Sequence, residues 1–133
     1  MRARTCFLLL LGMLACLGCG KKKKSTDELI ADLKSPQEKD RLIAVRLLPQ
    51  RKGDAAKIVP ALIEALKDKE NDIRLSAAIG LGYFGEEARD AIPALQEALH
   101  DHDARVREAA GVAMSRIDPS LVPKSAPTKP RGK

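Results

Sequence analysis

The densest set of possible metal ligands lies at residues 100–103, where two histidines alternate with two aspartates (His100, Asp101, His102 and Asp103). Imidazole nitrogens and carboxylate oxygens are ordinary ligands for zinc. However, a zinc-binding pair on one helical face has its histidines four residues apart, whereas these are two apart. The segment also lies 33 residues after the polar stretch KDKE at residues 67–70. We therefore expect a turn between two helices here and no metal site.

Three arginines recur at intervals of 33 residues, at Arg41, Arg74 and Arg107. If the chain is built from repeated units, their guanidinium groups form a row that can bind carboxylates on a partner protein. A second interpretation pairs each arginine with a carboxylate inside the protein, such as Asp68 or Asp101 at the turns. Both interpretations place the three arginines at equivalent positions, and we take all three as candidate partner-binding residues.

Tyr83 is the fourth candidate for contact with a partner and the only tyrosine of the chain. The residues 33 positions before and after it are Gln50 and Arg116, so this position is polar in the other units and is expected to be exposed. An exposed tyrosine can anchor a protein partner, although a solitary ring on the surface is also common.

No spacing typical of a catalytic site occurs in the chain. All 3 cysteines lie at or before Cys19, so the remaining residues offer no thiol for a nucleophile, a disulfide or a thiolate metal site. We therefore predict that the protein is not an enzyme, with no catalytic residue, no cofactor and no small-molecule substrate.

The elements that must position these candidates repeat every 33 residues. PALIEALKD begins at Pro60 and PALQEALHD at Pro93, and NDIRLSAAIGLGYF is matched by ARVREAAGVAMSRI. Apolar residues recur at spacings of three and four on both sides of a polar stretch, which is typical of two amphipathic helices joined by a turn. We expect Pro60 in the first turn of its helix, where its missing N–H is tolerated. A fainter copy starts near Thr26 and brings the number of units to three.

The strings VPALIEALKD, IRLSAAIGLGYFG, IPALQEALHD and VREAAGVAMSRI resemble HEAT repeats, particularly the short type also found in bilin lyases. The resemblance implies an all-α fold: a short α-solenoid of three antiparallel helix pairs, at about 26–57, 58–90 and 91–118. Such solenoids serve mainly in protein contacts, and their second helices usually line the concave face. The outer units are more polar than the middle one, since Ile73 corresponds to Asp40 and Leu75 to Glu108, which suggests a self-capped array.

Residues 1–18 have the layout of a secretory signal peptide, with two arginines before an apolar run. The segment LACLGC resembles a bacterial lipoprotein signal, which implies that Cys19, or alternatively Cys16, receives lipid and acyl chains such as palmitate. Residues 19–25 would then form a lipidated basic tether beside the membrane. An ordinary signal peptide, whose cysteines serve only as apolar residues, is the alternative.

The chain has 24 basic and 18 acidic residues, but its charge is unevenly placed. Residues 26–118 hold 14 of the basic and all 18 of the acidic residues, so the repeat region has a net charge of −4. The excess positive charge lies in the two tails, and the chain has no tryptophan. Since single-strand binding depends on aromatic platforms beside positive charge, no nucleic-acid partner is expected. Residues 119–133 contain four prolines and are predicted to be a disordered basic tail.

Together these observations predict a bacterial lipoprotein, anchored to a membrane of the cell envelope, whose HEAT-like solenoid binds another protein without catalysis. One alternative is a soluble secreted or periplasmic binding protein. Another is an accessory factor like the bilin lyases, against which the export signal argues, because the chemistry of that family is cytoplasmic.

Overall fold

Six α-helices and several short 3₁₀ turns make up the part of the chain that the structure, a computed structural model, describes: residues 23–121. The helices are α1 (Thr26–Asp32), α2 (Glu38–Leu47), α3 (Ala55–Ala65), α4 (Asn71–Phe84), α5 (Ile92–Ala98) and α6 (Ala104–Ile117). No β-strand occurs within those residues. The prediction of an all-α array of helix pairs is confirmed.

The helices are arranged in two layers. The second helices, α2, α4 and α6, pack side by side, and the first helices, α1, α3 and α5, lie against one side of that layer. Between the layers is the core, and the apolar stripes read from the sequence supply it. Its largest fully buried side chains are Leu29, Val45, Leu48, Ile58, Leu62, Ile73, Leu81, Leu95, Val106 and Ile117.

Helix α1 begins at a capping box that reaches into the predicted tether. The Glu28 backbone N–H donates to the Ser25 hydroxyl at 3.2 Å, and the Ser25 N–H donates to the Glu28 carboxylate at 2.6 Å. Lys24 forms an ion pair with Asp32 at 2.6 Å. Lys24 and Ser25 are therefore part of the folded domain, whereas residues 1–22, with Cys19 and Cys16, lie outside the described residues.

The prediction that Pro60 lies in the first turn of its helix was wrong. A 3₁₀ turn at Lys52–Asp54 leads directly into α3, which begins at Ala55 and holds Pro60 in its interior. The alanine-rich start of α3 extends the helix one turn earlier than the apolar pattern indicated, because alanine favours helix without marking a face. Pro93, by contrast, lies at the beginning of α5, where its missing N–H costs nothing.

The first three residues of the predicted tail are ordered in the structure. Pro119–Leu121 form a 3₁₀ turn, in which the backbone N–H and the hydroxyl of Ser120 donate to the Asp118 carboxylate at 2.9 and 2.6 Å. Residues 122–133 lie outside the described residues. Within residues 23–121, the helices are all too short or too polar to cross a bilayer.

Glycines set how closely the second helices approach each other. A Cβ added at Gly80 of α4 would lie 2.8 Å from the Pro49 ring, and one added at Gly82 would lie 3.1 Å from the Ala113 backbone. Larger residues at these positions would force α2, α4 and α6 apart. Gly111 on α6 differs, because a Cβ there would meet only the Leu99 side chain, at 3.7 Å.

We predict opposite effects of the same substitution at two helical glycines. Gly111→Ala should raise the free energy of unfolding by about 0.5–1 kcal/mol, because alanine favours the helix and has room here. Gly80→Ala gains the same helix preference but collides with Pro49, so we expect a net loss of about 1–2 kcal/mol. Urea denaturation followed by circular dichroism measures both, and equal stabilisation of the two variants would contradict the packing described above.

Candidate protein-binding site

Two of the recurring arginines link successive units through ion pairs at the inter-helix turns. The Arg41 guanidinium donates twice to the Asp68 carboxylate, from Nε at 2.7 Å and from Nη2 at 3.2 Å. Its Nη1 donates to the carbonyl oxygens of Ser35 and Pro36 in its own turn, at 3.0 and 3.3 Å. With a side chain only 7% exposed, Arg41 is used inside the domain.

Arg74 repeats this arrangement one unit later. It donates to the Asp101 carboxylate from Nε at 2.7 Å and from Nη2 at 2.9 Å, and from Nη1 to the carbonyls of Asp68 and Lys69. Its side chain is 12% exposed. The interpretation that pairs the arginines with carboxylates inside the protein is confirmed for Arg41 and Arg74. Both side chains are nearly buried and bound to groups of the domain. Contact of Arg41 or Arg74 with a partner stays a prediction, and their geometry does not favour it.

Like the other two arginines, Arg107 binds the turn that precedes its own helix. Its Nη1 donates to the carbonyls of Asp101 and His102 at 2.8 and 3.2 Å. It is exposed, however, and no ion pair joins it to a carboxylate among residues 23–121. Of the three arginines, Arg107 is therefore the one whose geometry is compatible with the predicted contact.

The carboxylates of the last inter-helix turn are held in their charged form. Hydrogen bonds from Arg74 lower the pKa of Asp101 below its usual range. Hydrogen bonds from the Arg105 side chain and backbone lower the pKa of Asp103 to about 2. Asp101 also accepts the Asp103 N–H at 2.9 Å, which shapes the turn. The histidine-aspartate segment is thus a structural turn, and no group of three or more metal-ligating side chains occurs in the described part of the chain.

Tyr83 is exposed, as expected from its position in the repeat, and the Arg116 guanidinium carbon lies 5.9 Å from the centre of its ring. This distance permits a cation–π contact. The two residues occupy equivalent positions in neighbouring units, so the contact joins α4 to α6 on the open side of the second-helix layer. Contact between Tyr83 and a partner stays a prediction.

Two grooves lie on that open side, which we call the second-helix face. The groove between α2 and α4 has a volume of about 700 Å³ and is lined by Val45, Arg46, Pro49, Gln50, Lys52, Leu75, Ser76, Ile79, Gly80 and Tyr83. The groove between α4 and α6 is about 410 Å³ and shares Leu75, Ile79 and Tyr83 with it. The second-helix face is therefore continuous across α4.

The second-helix face combines apolar contact area with positive charge. Ile79 and Val112 are exposed in the grooves, although both are large apolar residues. Arg46 and Lys52 line one groove. Arg116 lines the other, beside Glu108 and Arg105. The charge of Arg105 is paired with Asp103 and Asp72. The charge of Arg46, Lys52 and Arg116 contrasts with the net negative charge of residues 26–118. Such a surface can bind an amphipathic protein segment that carries acidic side chains.

Sequence reasoning missed most of this surface. It placed the site along the row formed by Arg41, Arg74 and Arg107, which we call the arginine ladder. The ladder arginines do not line either groove. A usable signal was present: Ile79 and Val112 are 33 residues apart and lie off the buried stripe of their helices. An apolar residue repeated on the exposed side of two helices is typical of a contact surface.

Comparison with known proteins supports the repeat architecture. Residues 26–115 match the family model for HEAT repeats. The chain is similar to a solved structure, the complex of CpcE and CpcF of phycocyanin lyase from Nostoc sp. PCC7120, with 28% sequence identity and a TM-score of 0.65. The similarity covers 78% of this chain and 41% of that chain, so this chain spans less than half the length of its neighbour. None of the curated proteins matches the chain.

The similarity corrects one prediction. The absence of a catalytic spacing led us to predict that the protein is not an enzyme, and this was wrong, because its structural neighbour is a phycocyanin lyase at 28% identity. The prediction failed because it searched for a compact set of catalytic residues, whereas a repeat protein of this kind presents an extended surface.

We predict that Asp101→Asn destabilises the domain and flattens its response to acid. Asparagine keeps the turn-shaping acceptor but loses the charge paired with Arg74, at a cost of about 1–2 kcal/mol because the pair is partly solvated. The pKa of Asp101 is lowered in the folded state, so its contribution is present above its ordinary pKa of about 3.9 and is lost as the pH falls through the folded value.

Urea midpoints measured between pH 7 and pH 2 test this prediction. The difference between wild type and Asp101→Asn should be largest above about pH 5 and should shrink in acid. Asp27→Asn is a matched control, because the Lys57–Asp27 pair is exposed and should matter little. A difference between wild type and Asp101→Asn that does not change with pH would show that the charge of the pair is not what stabilises the turn.

Proposed function

The chain belongs to the HEAT repeat family, and we propose that its second-helix face binds an acidic, amphipathic segment of a partner protein as part of a lyase-like complex. The observation that carries this proposal is the combination of exposed Ile79 and Val112 with basic groove residues on an otherwise acidic domain. Apolar side chains supply buried contact area, and the charges select an acidic partner.

The lyase-like part of the proposal rests on the neighbour in the complex of CpcE and CpcF. That structure is a complex of two proteins of a phycocyanin lyase, which supports a role for this chain as one component of a two-protein assembly. The proposal does not extend to bilin attachment itself, against which the export signal argues. The Tyr83 hydroxyl lies on the second-helix face, where it can contact whatever the grooves hold. The partner protein would thus be bound across α4, with Tyr83 beside it.

Photo-crosslinking in cells tests the second-helix face. A photoreactive residue at position 79 should yield a discrete protein adduct, whereas one at Ala56, exposed on α3 of the other layer, should not. The double variant Arg46→Glu, Arg116→Glu should reduce the adduct about 10-fold or more, because it places negative charge against an acidic segment. Lys67→Glu, Lys69→Glu at the inter-helix turn serves as the charge-matched control. Equal adducts from both faces, or an adduct unaffected by the groove variant, would rule out this surface.

We also propose that lipid on Cys19 anchors the domain to a membrane of the bacterial cell envelope. The support comes from the sequence: the apolar run after Arg2 and Arg4, and the small residue Gly18 before the cysteine. Because Ser25 already caps α1, the linker between Cys19 and the helix is at most about 20 Å long when fully extended. The anchor would therefore hold the domain close to the bilayer. A soluble, secreted form of the same domain is the competing proposal.

The intact mass of the protein extracted from membranes separates the two. We expect the N-terminus at Cys19 with the added mass of a diacylglyceryl group and an acyl chain, and we expect Cys19→Ser to abolish both cleavage at that position and membrane retention. Cys16→Ser is the matched control and should leave the mass addition in place. An unmodified N-terminus after removal of Cys19 would contradict lipidation.

A further inference from the structure

The C-terminal end of the array is not capped as the polar outer units suggested, because the arginine ladder is open there. Arg41 and Arg74 each use Nε and Nη2 to bind the aspartate of the following unit. In Arg107 only Nη1 is engaged within residues 23–121. All 18 acidic residues of the chain lie between 27 and 118, inside the described range. None of these carboxylates meets the Nε edge of Arg107 within residues 23–121.

The residues around Arg107 form a surface that fits a further helix pair. Leu99 is 37% exposed, whereas Leu66, its counterpart one unit earlier, is 7% exposed because α5 covers it. On α6, Gly111 and Ser115 occupy the positions of Ala78, which is fully buried, and of Gly82, which is buried against Ala113 of the next second helix. We call this surface, Leu99, Arg107, Gly111 and Ser115, the C-terminal end surface.

A second copy of this chain does not fit the C-terminal end surface. At its N-terminal end, Ser35 stands where the later units have Asp68 and Asp101, so it offers no carboxylate at the ladder position. Leu47 stands where later units have Gly80, which lies close to Pro49 in the turn after α2, and Ala113, which lies close to Gly82 of α4. Continuing the array with a second copy would place Leu47 inside that contact.

We propose that the C-terminal end surface binds a distinct helical-repeat protein, which supplies an aspartate at an inter-helix turn and small residues on the helix that follows. The aspartate completes the ladder by accepting two hydrogen bonds from Arg107, as Asp68 and Asp101 do for the earlier arginines. Small side chains let the partner helix approach Gly111 and Ser115, and Leu99 becomes buried. This surface is separate from the grooves of the second-helix face, so the proposal does not depend on them.

A variant of this chain can serve as the probe. The triple variant Ser35→Asp, Ile43→Ala, Leu47→Ala introduces residue types that later units carry at the equivalent positions, namely Asp68 and Asp101, Ala109, and Ala113. Its N-terminal end therefore resembles the proposed partner. Sedimentation velocity should show wild type as a monomer and the triple variant in head-to-tail oligomers that grow with concentration, because this contact does not close into a ring of two. Adding Arg107→Glu should weaken the association about 30-fold or more, whereas adding Arg89→Glu, an exposed arginine elsewhere, should not.

Each outcome decides the proposal. A triple variant that is folded by circular dichroism but stays monomeric would overturn it, and so would oligomers that persist with Arg107→Glu. Head-to-tail association of wild type would overturn the claim that the partner is a distinct protein. If the triple variant does not fold, Ser35→Asp, Leu47→Ala carries the same test with Ile43 left in place. Loss of adducts from the second-helix face has no bearing on these results, so the two proposals can fail separately.

Discussion

The bidentate pair between an arginine and the aspartate 27 residues later is the interaction on which the rest of the domain depends. Each arginine also binds two carbonyls of its own inter-helix turn, so one side chain holds two turns at a fixed separation. Each aspartate in turn accepts a backbone N–H that shapes its own turn. Because these polar groups satisfy one another, they can be nearly buried without an unpaired charge. The spacing of the helix pairs follows from this chain of contacts.

The arginine–aspartate pairs hold the units together at the inter-helix turns. The residues on the second-helix face can therefore differ from unit to unit. At equivalent positions of α2, α4 and α6 the chain carries Arg46, Ile79 and Val112, a charged residue beside two apolar ones. The core does not require any of them, since all three are exposed. A binding surface can therefore change residue by residue without disturbing the arginine–aspartate pairs. Because the residues that hold the units together differ from those that face a partner, the architecture is suited to recognition.

Sequence reasoning predicted the parts that repeat. The 33-residue period predicted the helix pairs and placed the three arginines at equivalent positions. One of its two interpretations paired them with carboxylates inside the protein, such as Asp68 or Asp101. It failed where the outcome depends on packing between units. The early start of α3 follows a 3₁₀ turn that no apolar pattern marks, and the groove between α2 and α4 is lined by Pro49 and Gly80, which approach each other closely across two units. The resemblance to the repeats of bilin lyases was visible in the sequence, but it came without a compact set of catalytic residues, and the prediction about enzyme activity failed for that reason.

The arginine–aspartate pairs affect how such arrays can change length over evolutionary time. Every stretch of 33 residues taken from the regular part of the chain contains one arginine and one aspartate of the ladder, wherever the stretch begins. A duplicated stretch thus arrives with a donor for the unit after it and an acceptor for the unit before it. Lengthening by gene duplication needs no compensating substitution at the new junction. The N-terminal end differs, because Leu47 stands where later units have Gly80 and Ala113. A unit added before the first one would therefore require a smaller residue at position 47.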